Sequence, residues 1–156
     1  MTEEKKPLTR SELEIIIKRR AAVLLIILAA LVAINSFFKD GNSGRIMKDI
    51  IAANNQWAWY QAKNVRSVIY ETANRPADAE RMKADMEEIK LHAQAFEKEQ
   101  RELSAKAPYY TYSAMLMQLG LVLSTAAILA VSMPLFYAAV AVGSSGVVLF
   151  AIALGV

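Results

Sequence analysis

The chain has 156 residues, of which 55% are hydrophobic and 21% charged, and its 18 basic and 15 acidic side chains give a net charge of +3. Every charged residue lies at or before Lys106, so residues 107–156 carry no charge. A soluble domain does not leave its final third uncharged. The charges also form no dense basic stripe, which excludes nucleic acid as a partner. Because cysteine is absent, disulfides and thiolate chemistry are excluded as well.

Residues 1–20 form a polar segment that leads into a helix. Ser11 and Glu14 have the S-x-x-E spacing of a capping box, and Glu14 and Lys18 are placed for an i,i+4 ion pair. Residues 21–38 are uncharged, and at 1.5 Å per residue they cover roughly 27 Å, which is enough to cross the core of a bilayer. The sequence therefore predicts a first transmembrane helix at 21–38.

The same segment has a second interpretation, as a cleaved signal peptide. Lys18, Arg19 and Arg20 precede the apolar run, and Ala33 could serve as a weak cleavage position. We favour the transmembrane helix, because the apolar run is long enough to span.

Residues 39–108 are predicted to form an extramembrane antiparallel helical hairpin. Turn-forming residues cluster at Asp40–Gly44 and should break or kink the helix where it leaves the membrane. A helix should follow from about Arg45 to Asn74, and Pro76 should place a turn near 74–77. The fold class expected is thus all-α, with three transmembrane helices and a coiled-coil hairpin between the first and second.

Both helices of the predicted hairpin carry apolar positions at heptad spacing. The second contains an unbroken run that we call the α2 seam: Ala79, Met82, Met86, Ile89, Ala93, Phe96, Gln100 and Leu103. The first has two apolar stripes, and two stripes indicate two partners. One stripe is Ile46, Ile50, Ala53 and Trp57, and the other is Ile51, Ala58, Ala62, Val65 and Ile69.

The uncharged final third predicts two more transmembrane helices, at 109–132 and 135–156, joined by a tight connection at Ser132–Pro134. Tyrosines at the start of the first resemble an interfacial aromatic belt. Small residues at four-residue spacing favour close helix packing, within the chain or against another copy. The residues expected at these contacts are Gly120, Ser124, Ala139, Gly143 and Gly146.

The most distinctive stretch places two tryptophans and a tyrosine among amides and a lysine, between Asn55 and Lys63. On these residues the chain resembles the uncharacterised bacterial membrane-protein family called domain of unknown function 4337, as does its order of apolar and charged segments. The resemblance implies an architecture and no activity. The matching positions are Trp57, Trp59, Tyr60, Gln61, Ala62, Lys63 and Arg66.

Two interpretations of this aromatic segment are open. The first is structural: buried aromatic rings anchor the hairpin or a subunit contact, and their polar atoms find hydrogen bonds. The second is a platform for a ligand or a lipid headgroup, with the rings as stacking surfaces and the basic side chains as anion contacts. The interaction residues under either hypothesis are Trp57, Trp59, Tyr60, Gln61, Lys63 and Arg66.

No pattern in the sequence indicates a catalytic, cofactor or metal site. His92 is the only histidine, and Ile89 stands where a di-iron helix would carry glutamate. Glu87 and Glu88 are adjacent and point in different directions, as on the solvated flank of a coiled coil. No phosphate-binding loop or nucleophile motif occurs. We therefore expect no enzyme and no cofactor.

These features predict a multi-pass protein of the bacterial inner membrane, in contact with lipid, that self-assembles or scaffolds a larger complex. The alternative is a small oligomeric channel or transport accessory, for which Gln118 is the main polar candidate in the final spans. The excess of basic residues before the first span favours a cytoplasmic amino terminus and a periplasmic hairpin. Homo-oligomerisation is expected because a two-helix hairpin cannot cover both apolar stripes of its first helix.

Overall fold

A computed structural model describes residues 9–155 and contains three α-helices. They are α1, Arg10–Thr72, α2, Pro76–Ala130, and α3, Met133–Leu154. No strand occurs among the described residues. The all-α fold class is therefore confirmed, with fewer and longer helices than the sequence predicts. Lys5, Lys6 and the rest of residues 1–8 of the predicted polar segment lie outside the described part of the chain.

The chain divides into two compact units. The three-helix unit joins residues up to Lys39 with residues from Pro108 onward, and the two-helix unit is Asp40–Ala107. Each helix also contains an 18-residue window apolar enough to cross a membrane by length and composition. The coarse prediction of three potential membrane-spanning helices is thus confirmed.

The amino terminus of α1 is capped two residues earlier than the sequence predicts. The Thr9 backbone N–H and hydroxyl donate to Glu12 Oε2 at 2.9 and 2.7 Å, and the Glu12 N–H donates back to Thr9 Oγ1 at 3.4 Å. This is the reciprocal pattern of a capping box, so the assignment to Ser11 and Glu14 is wrong. The ion pair of Glu14 with Lys18 is confirmed at 2.6 Å.

Helix α1 runs without interruption through Asp40–Gly44, so the predicted break is wrong. Tertiary contacts explain the difference, because the Asn42 side chain is buried and its Nδ2 donates to the Leu103 carbonyl at 3.1 Å. Gly41 and Gly44 lower the helix propensity of this segment, but neither has a positive φ and nothing lies within 4 Å of a Cβ placed on either. The turn-like composition of Asp40–Gly44 therefore does not indicate a turn here.

The α1–α2 connection is a Schellman motif followed by proline. Asn74 has φ 55°, its N–H donates to the Glu71 carbonyl at 3.1 Å, and the Arg75 N–H donates to the Tyr70 carbonyl at 2.9 Å. Asparagine tolerates this left-handed conformation, which satisfies the last carbonyls of α1. Pro76 then begins α2, where its missing N–H costs nothing.

In the two-helix unit, α1 and α2 run antiparallel. Arg45 pairs with Glu99 at 2.8 Å, while farther along α1 Lys63 pairs with Asp85, so the contacts move backward along α2. All eight α2 seam residues are buried or half-buried. The α1 face buried here is partly polar, and its most buried residues are Asn42, Asp49, Ala53 and Ser67.

In the three-helix unit, α1, α2 and α3 meet at glycines. A Cβ on Gly120 of α2 would lie 2.9 Å from the Cα of Gly143 on α3, and Leu28 of α1 fills the space beside both. Contacts this close need residues without side chains. Asn35 of α1, fully buried, donates from Nδ2 to the Tyr110 carbonyl at 2.9 Å.

Apart from the charged residues at the start of α1, the outward surface of the three-helix unit exposes many apolar side chains. Large side chains such as Ile26, Phe37 and Leu129 are more than two-thirds exposed.

Helix α2 continues through Pro108, which cannot donate to the Ser104 carbonyl. Val131, the residue after α2, has φ 49°, and Pro134 stands in the first turn of α3.

Two glycine-to-alanine variants give a matched test of this packing. Gly120→Ala should destabilise the protein by about 1–3 kcal/mol, because its methyl group would collide with the α3 backbone. Gly41→Ala should stabilise it by up to about 1 kcal/mol, because the site is helical and nothing lies within 4 Å. Thermal unfolding in mild detergent, followed by circular dichroism, measures both. A stabilising Gly120→Ala would contradict the α2–α3 contact.

Candidate interaction surface

The aromatic segment of α1 divides between the inside and the outside of the two-helix unit. Trp57 is half-buried, its Nε1 donates to Glu97 Oε1 at 2.8 Å, and its ring meets that of Tyr60 edge to face at 5.5 Å. Trp59 points outward and is 67% exposed, and Gln61 is exposed too. The structural interpretation therefore fits Trp57 and Tyr60, whereas Trp59 is free for a partner.

Three of the six predicted interaction residues come together on the surface. Trp59, Lys63 and Arg66 line one shallow depression around Ala62. The spacing of 3 and 4 residues along α1 brings these side chains to one face of the helix. An indole beside two cationic side chains can take an anion or an aromatic group. Trp57, Tyr60 and Gln61 do not line this depression.

Lys63 is engaged by the neighbouring helix. Its half-buried ammonium donates a hydrogen bond to Asp85 Oδ2, and this bond holds the pKa of the Asp85 carboxyl below its ordinary value. Two turns further along α2, His92 Nε2 lies 3.9 Å from Glu88 Oε1. Lys63 therefore has its charge balanced within the chain.

The Lys63–Asp85 pair and the His92–Glu88 contact lie along an open cleft of about 700 Å³ between α1 and α2. Its walls combine two amides, two carboxylates, a lysine, a histidine, an indole and an isoleucine. No group of three or more His, Asp or Glu side chains in residues 9–155 is arranged to hold a metal ion. The lining residues are Asn55, Gln56, Trp59, Lys63, Asp85, Glu88, Ile89 and His92.

One of the two apolar stripes of α1 faces outward. We call it the outer stripe: Ile51, Ala58, Ala62, Val65 and Ile69, all exposed. The exposed fractions of its three large side chains are 52% for Ile51, 58% for Val65 and 56% for Ile69. The other stripe, with Ile46, Ile50, Ala53 and Trp57, is buried or half-buried. The structure thus identifies which stripe α2 leaves uncovered.

The small residues predicted at membrane-helix contacts are all buried inside the three-helix unit. Gly143 faces Leu28, and Gly146 faces Met117 and the Ser113 carbonyl. Because these contacts lie within one chain, the small residues from Ala139 to Gly146 no longer support the hypothesis that they receive a helix of another copy. The five predicted residues are Gly120, Ser124, Ala139, Gly143 and Gly146.

Sequence reasoning missed the buried polar residues of α1. Asn35, Asn42 and Asp49 lie at seven-residue intervals and are each less than a tenth exposed. Asp49 Oδ2 and Asn35 Oδ1 have no hydrogen-bond partner among the described residues. The seven-residue spacing of these three residues is visible in the sequence. A search for apolar periodicity does not find it, because it considers apolar residues only.

The Lys63–Asp85 hydrogen bond predicts an acid-sensitive contribution to stability. Because the folded pKa of Asp85 lies below its ordinary value of 3.8, the contribution is present above that value and is lost as pH falls through the folded pKa. Asp85→Asn should therefore show a smaller drop in unfolding temperature between pH 6 and pH 3 than the parent protein. Lys63→Gln is the matched control and should reduce the drop equally, and an undiminished drop in both variants would contradict the pairing.

Comparison with known proteins identifies the family. The model of Domain of unknown function (DUF4337) matches residues 17–79 and 72–156, so the two matches overlap around the α1–α2 turn. No curated protein and no solved structure matches the chain. The resemblance noted on the aromatic segment is therefore confirmed. Since the matches together cover far more than half of the sequence, the chain belongs to the DUF4337 family.

Proposed function

We propose that this protein is a non-enzymatic, multi-pass protein of the bacterial inner membrane that assembles with copies of itself and thereby scaffolds a membrane complex. The observation that carries the proposal is the outer stripe of α1, an apolar face that its own chain leaves open. A row of five exposed apolar side chains, on a unit that we place in water, calls for a partner.

The surface of the three-helix unit supports the membrane part of the proposal. Many of its large apolar side chains are exposed, and α2 after Lys106 and all of α3 contain no charged residue. Lipid is a favourable surrounding for such a surface, since every backbone group inside a helix is already paired. The two-helix unit Asp40–Ala107, by contrast, holds most of the ion pairs and would lie in water.

The arrangement of the cleft supports a binding role over a catalytic one. Lys63 is paired with Asp85, and the His92 ring lies 3.9 Å from the Glu88 carboxylate. A nucleophile needs an adjacent general base, and the Lys63 amine is instead hydrogen-bonded to a carboxylate of the neighbouring helix. The exposed indole of Trp59 is better suited to contact with another surface.

The alternative function, a small channel, also depends on assembly. Gln118 is exposed on α2, so it could line a pore only between copies. Ser113 and Ser124 are fully buried inside the three-helix unit and add no polar surface there. Self-assembly is therefore the step that both hypotheses share, and it is the step to test first.

The orientation we propose places the amino terminus in the cytoplasm and the two-helix unit in the periplasm. Six basic residues precede the first apolar run, Lys5, Lys6, Arg10, Lys18, Arg19 and Arg20, against Lys39, Arg45 and Lys48 after it. Positive charge is retained on the cytoplasmic side during insertion. Lys98, Arg101 and Lys106, before the second span, act against this preference.

Cysteine labelling tests the orientation, and the absence of native cysteine makes the background clean. Ser43→Cys and Ser104→Cys should both react with an impermeant maleimide in intact spheroplasts, because both positions belong to the two-helix unit. Labelling only after the membrane is permeabilised would reverse the proposed orientation. Ser11→Cys, exposed and before the first apolar run, is a third position, expected to be protected.

Mass measurement in mild detergent tests self-assembly. The parent protein should give a discrete multimer by native mass spectrometry or light scattering, and Val65→Asp should shift it at least about tenfold toward monomer by burying an unpaired charge in the contact. Asn64→Asp is the matched control, an exposed neighbour off the stripe, and should leave the mass unchanged. A parent protein that is monomeric over a wide concentration range would refute the proposal.

A further inference from the structure

The outer stripe becomes a complete heptad pattern when one polar residue is added to it. Asn55 is exposed on the same face, and with it the spacings from Ile51 to Ile69 are 4, 3, 4, 3 and 4. Helix α1 therefore carries a second coiled-coil seam besides the one it turns toward α2. In heptad notation Asn55, Ala62 and Ile69 occupy a positions, and Ile51, Ala58 and Val65 occupy d positions.

The single polar position selects the occupant. A lone asparagine at an a position is tolerated in parallel two-stranded coiled coils, because the two amides face and hydrogen-bond each other. Against lipid or an apolar segment, the Asn55 amide would lose its water partners without replacement. In an antiparallel pair centred on this seam, Asn55 would face Val65 and again lack a partner. A second copy of the same helix, parallel and in register, satisfies every position.

The residues beside the seam fit the same pairing. In a parallel pair the g position of one helix lies near the following e position of the other, which brings Gln61 near Arg66 and Asn54 near Trp59. Neither contact sets like charges together. Ala58 and Ala62 at the centre allow the two backbones to approach closely, and the exposed Trp59 then covers the flank of the contact.

We propose that two copies of this chain pair through α1 as a parallel, in-register coiled coil over Ile51–Ile69, and that Asn55 sets its register. This inference rests on the proposed function and deepens it, since it names the partner and the contact. Two copies inserted in one membrane with the same orientation have parallel α1 helices, so the pairing agrees with the membrane part of the proposal. Because the seam contains no charged residue, it offers no electrostatic complementarity to a charged partner protein.

Disulfide trapping of the full-length protein in mild detergent tests the contact. Ala58→Cys and Val65→Cys should each form same-position dimers on mild oxidation, because a disulfide requires Cβ atoms within about 4 Å. Asn64→Cys, exposed but off the seam, is the matched control, and we expect its dimer yield to be lower by about tenfold. Equal yields at positions 64 and 65 would overturn the inference, and so would dimers formed chiefly between Ile51→Cys and Ile69→Cys chains.

Replacement of Asn55 tests the register. In a mixture of Ala58→Cys and Val65→Cys chains, the dimer that joins positions 58 and 65 should be rare, because it requires a shift of one heptad. Adding Asn55→Leu to both chains should raise the shifted dimer about tenfold or more, since the polar a position no longer penalises the shift. An unchanged ratio would remove Asn55 from the contact.

The masses of the same samples separate the two proposals. A multimer without same-position dimers at 58 and 65 would refute this contact while leaving self-assembly intact. A monomer would refute both. The substitutions are all at exposed positions of α1, so the circular dichroism spectrum of each variant should show the helix content of the parent protein.

Discussion

A hydrogen bond from an asparagine of α1 to the backbone of α2 is the constraint on which each unit depends within itself. A proline inside a helix removes one backbone hydrogen bond and costs about 3 kcal/mol where nothing compensates. Helix α1 donates two hydrogen bonds to the α2 backbone, at sequence positions before and after Pro108. Asn42 donates to the Leu103 carbonyl in the two-helix unit, and Asn35 donates to the Tyr110 carbonyl in the three-helix unit. Each bond ties α1 to the α2 backbone itself, independent of the neighbouring side chains.

The two faces of α1 in the two-helix unit differ in their chemistry. The face toward α2 buries Asn42, Asp49 and Ser67, which contribute little hydrophobic stabilisation and must be hydrogen-bonded to be tolerated. The outer stripe is apolar and gains nothing within one chain. The apolar contacts of the α2 seam with Ile46, Ile50, Ala53 and Trp57 hold the two helices together, and the surface ion pairs add little. Cover for the outer stripe would therefore stabilise this unit as well as join copies.

The sequence was informative where a pattern extends over many residues. The α2 seam from Ala79 to Leu103 and the uncharged stretch after Lys106 predicted the helices and their apolar character, because each averages over several turns. Local signals were less reliable. The cluster Asp40–Gly44 has turn composition but lies inside a helix, and the capping box is two residues away from Ser11.

The candidate surface could be predicted only in part. Periodicity gave both apolar stripes of α1, yet it could not decide which of them α2 covers, since that choice depends on partners such as Glu97 for Trp57. Likewise, small residues around Gly143 predicted a close contact without saying that Leu28 of the same chain fills it. A sequence read alone gives the faces of a helix, and the fold assigns their neighbours.

The connection between α2 and α3 bears on how the chain would enter a bilayer. Only Val131 and Ser132 separate the two helices, and Val131 adopts φ 49°, a conformation that a β-branched residue rarely accepts. In the membrane arrangement proposed above, so short a link leaves no room for one apolar helix to cross without the other. The insertion machinery would have to accept them together as one helical hairpin, already turned, and the carboxyl terminus would return to the side from which the hairpin started.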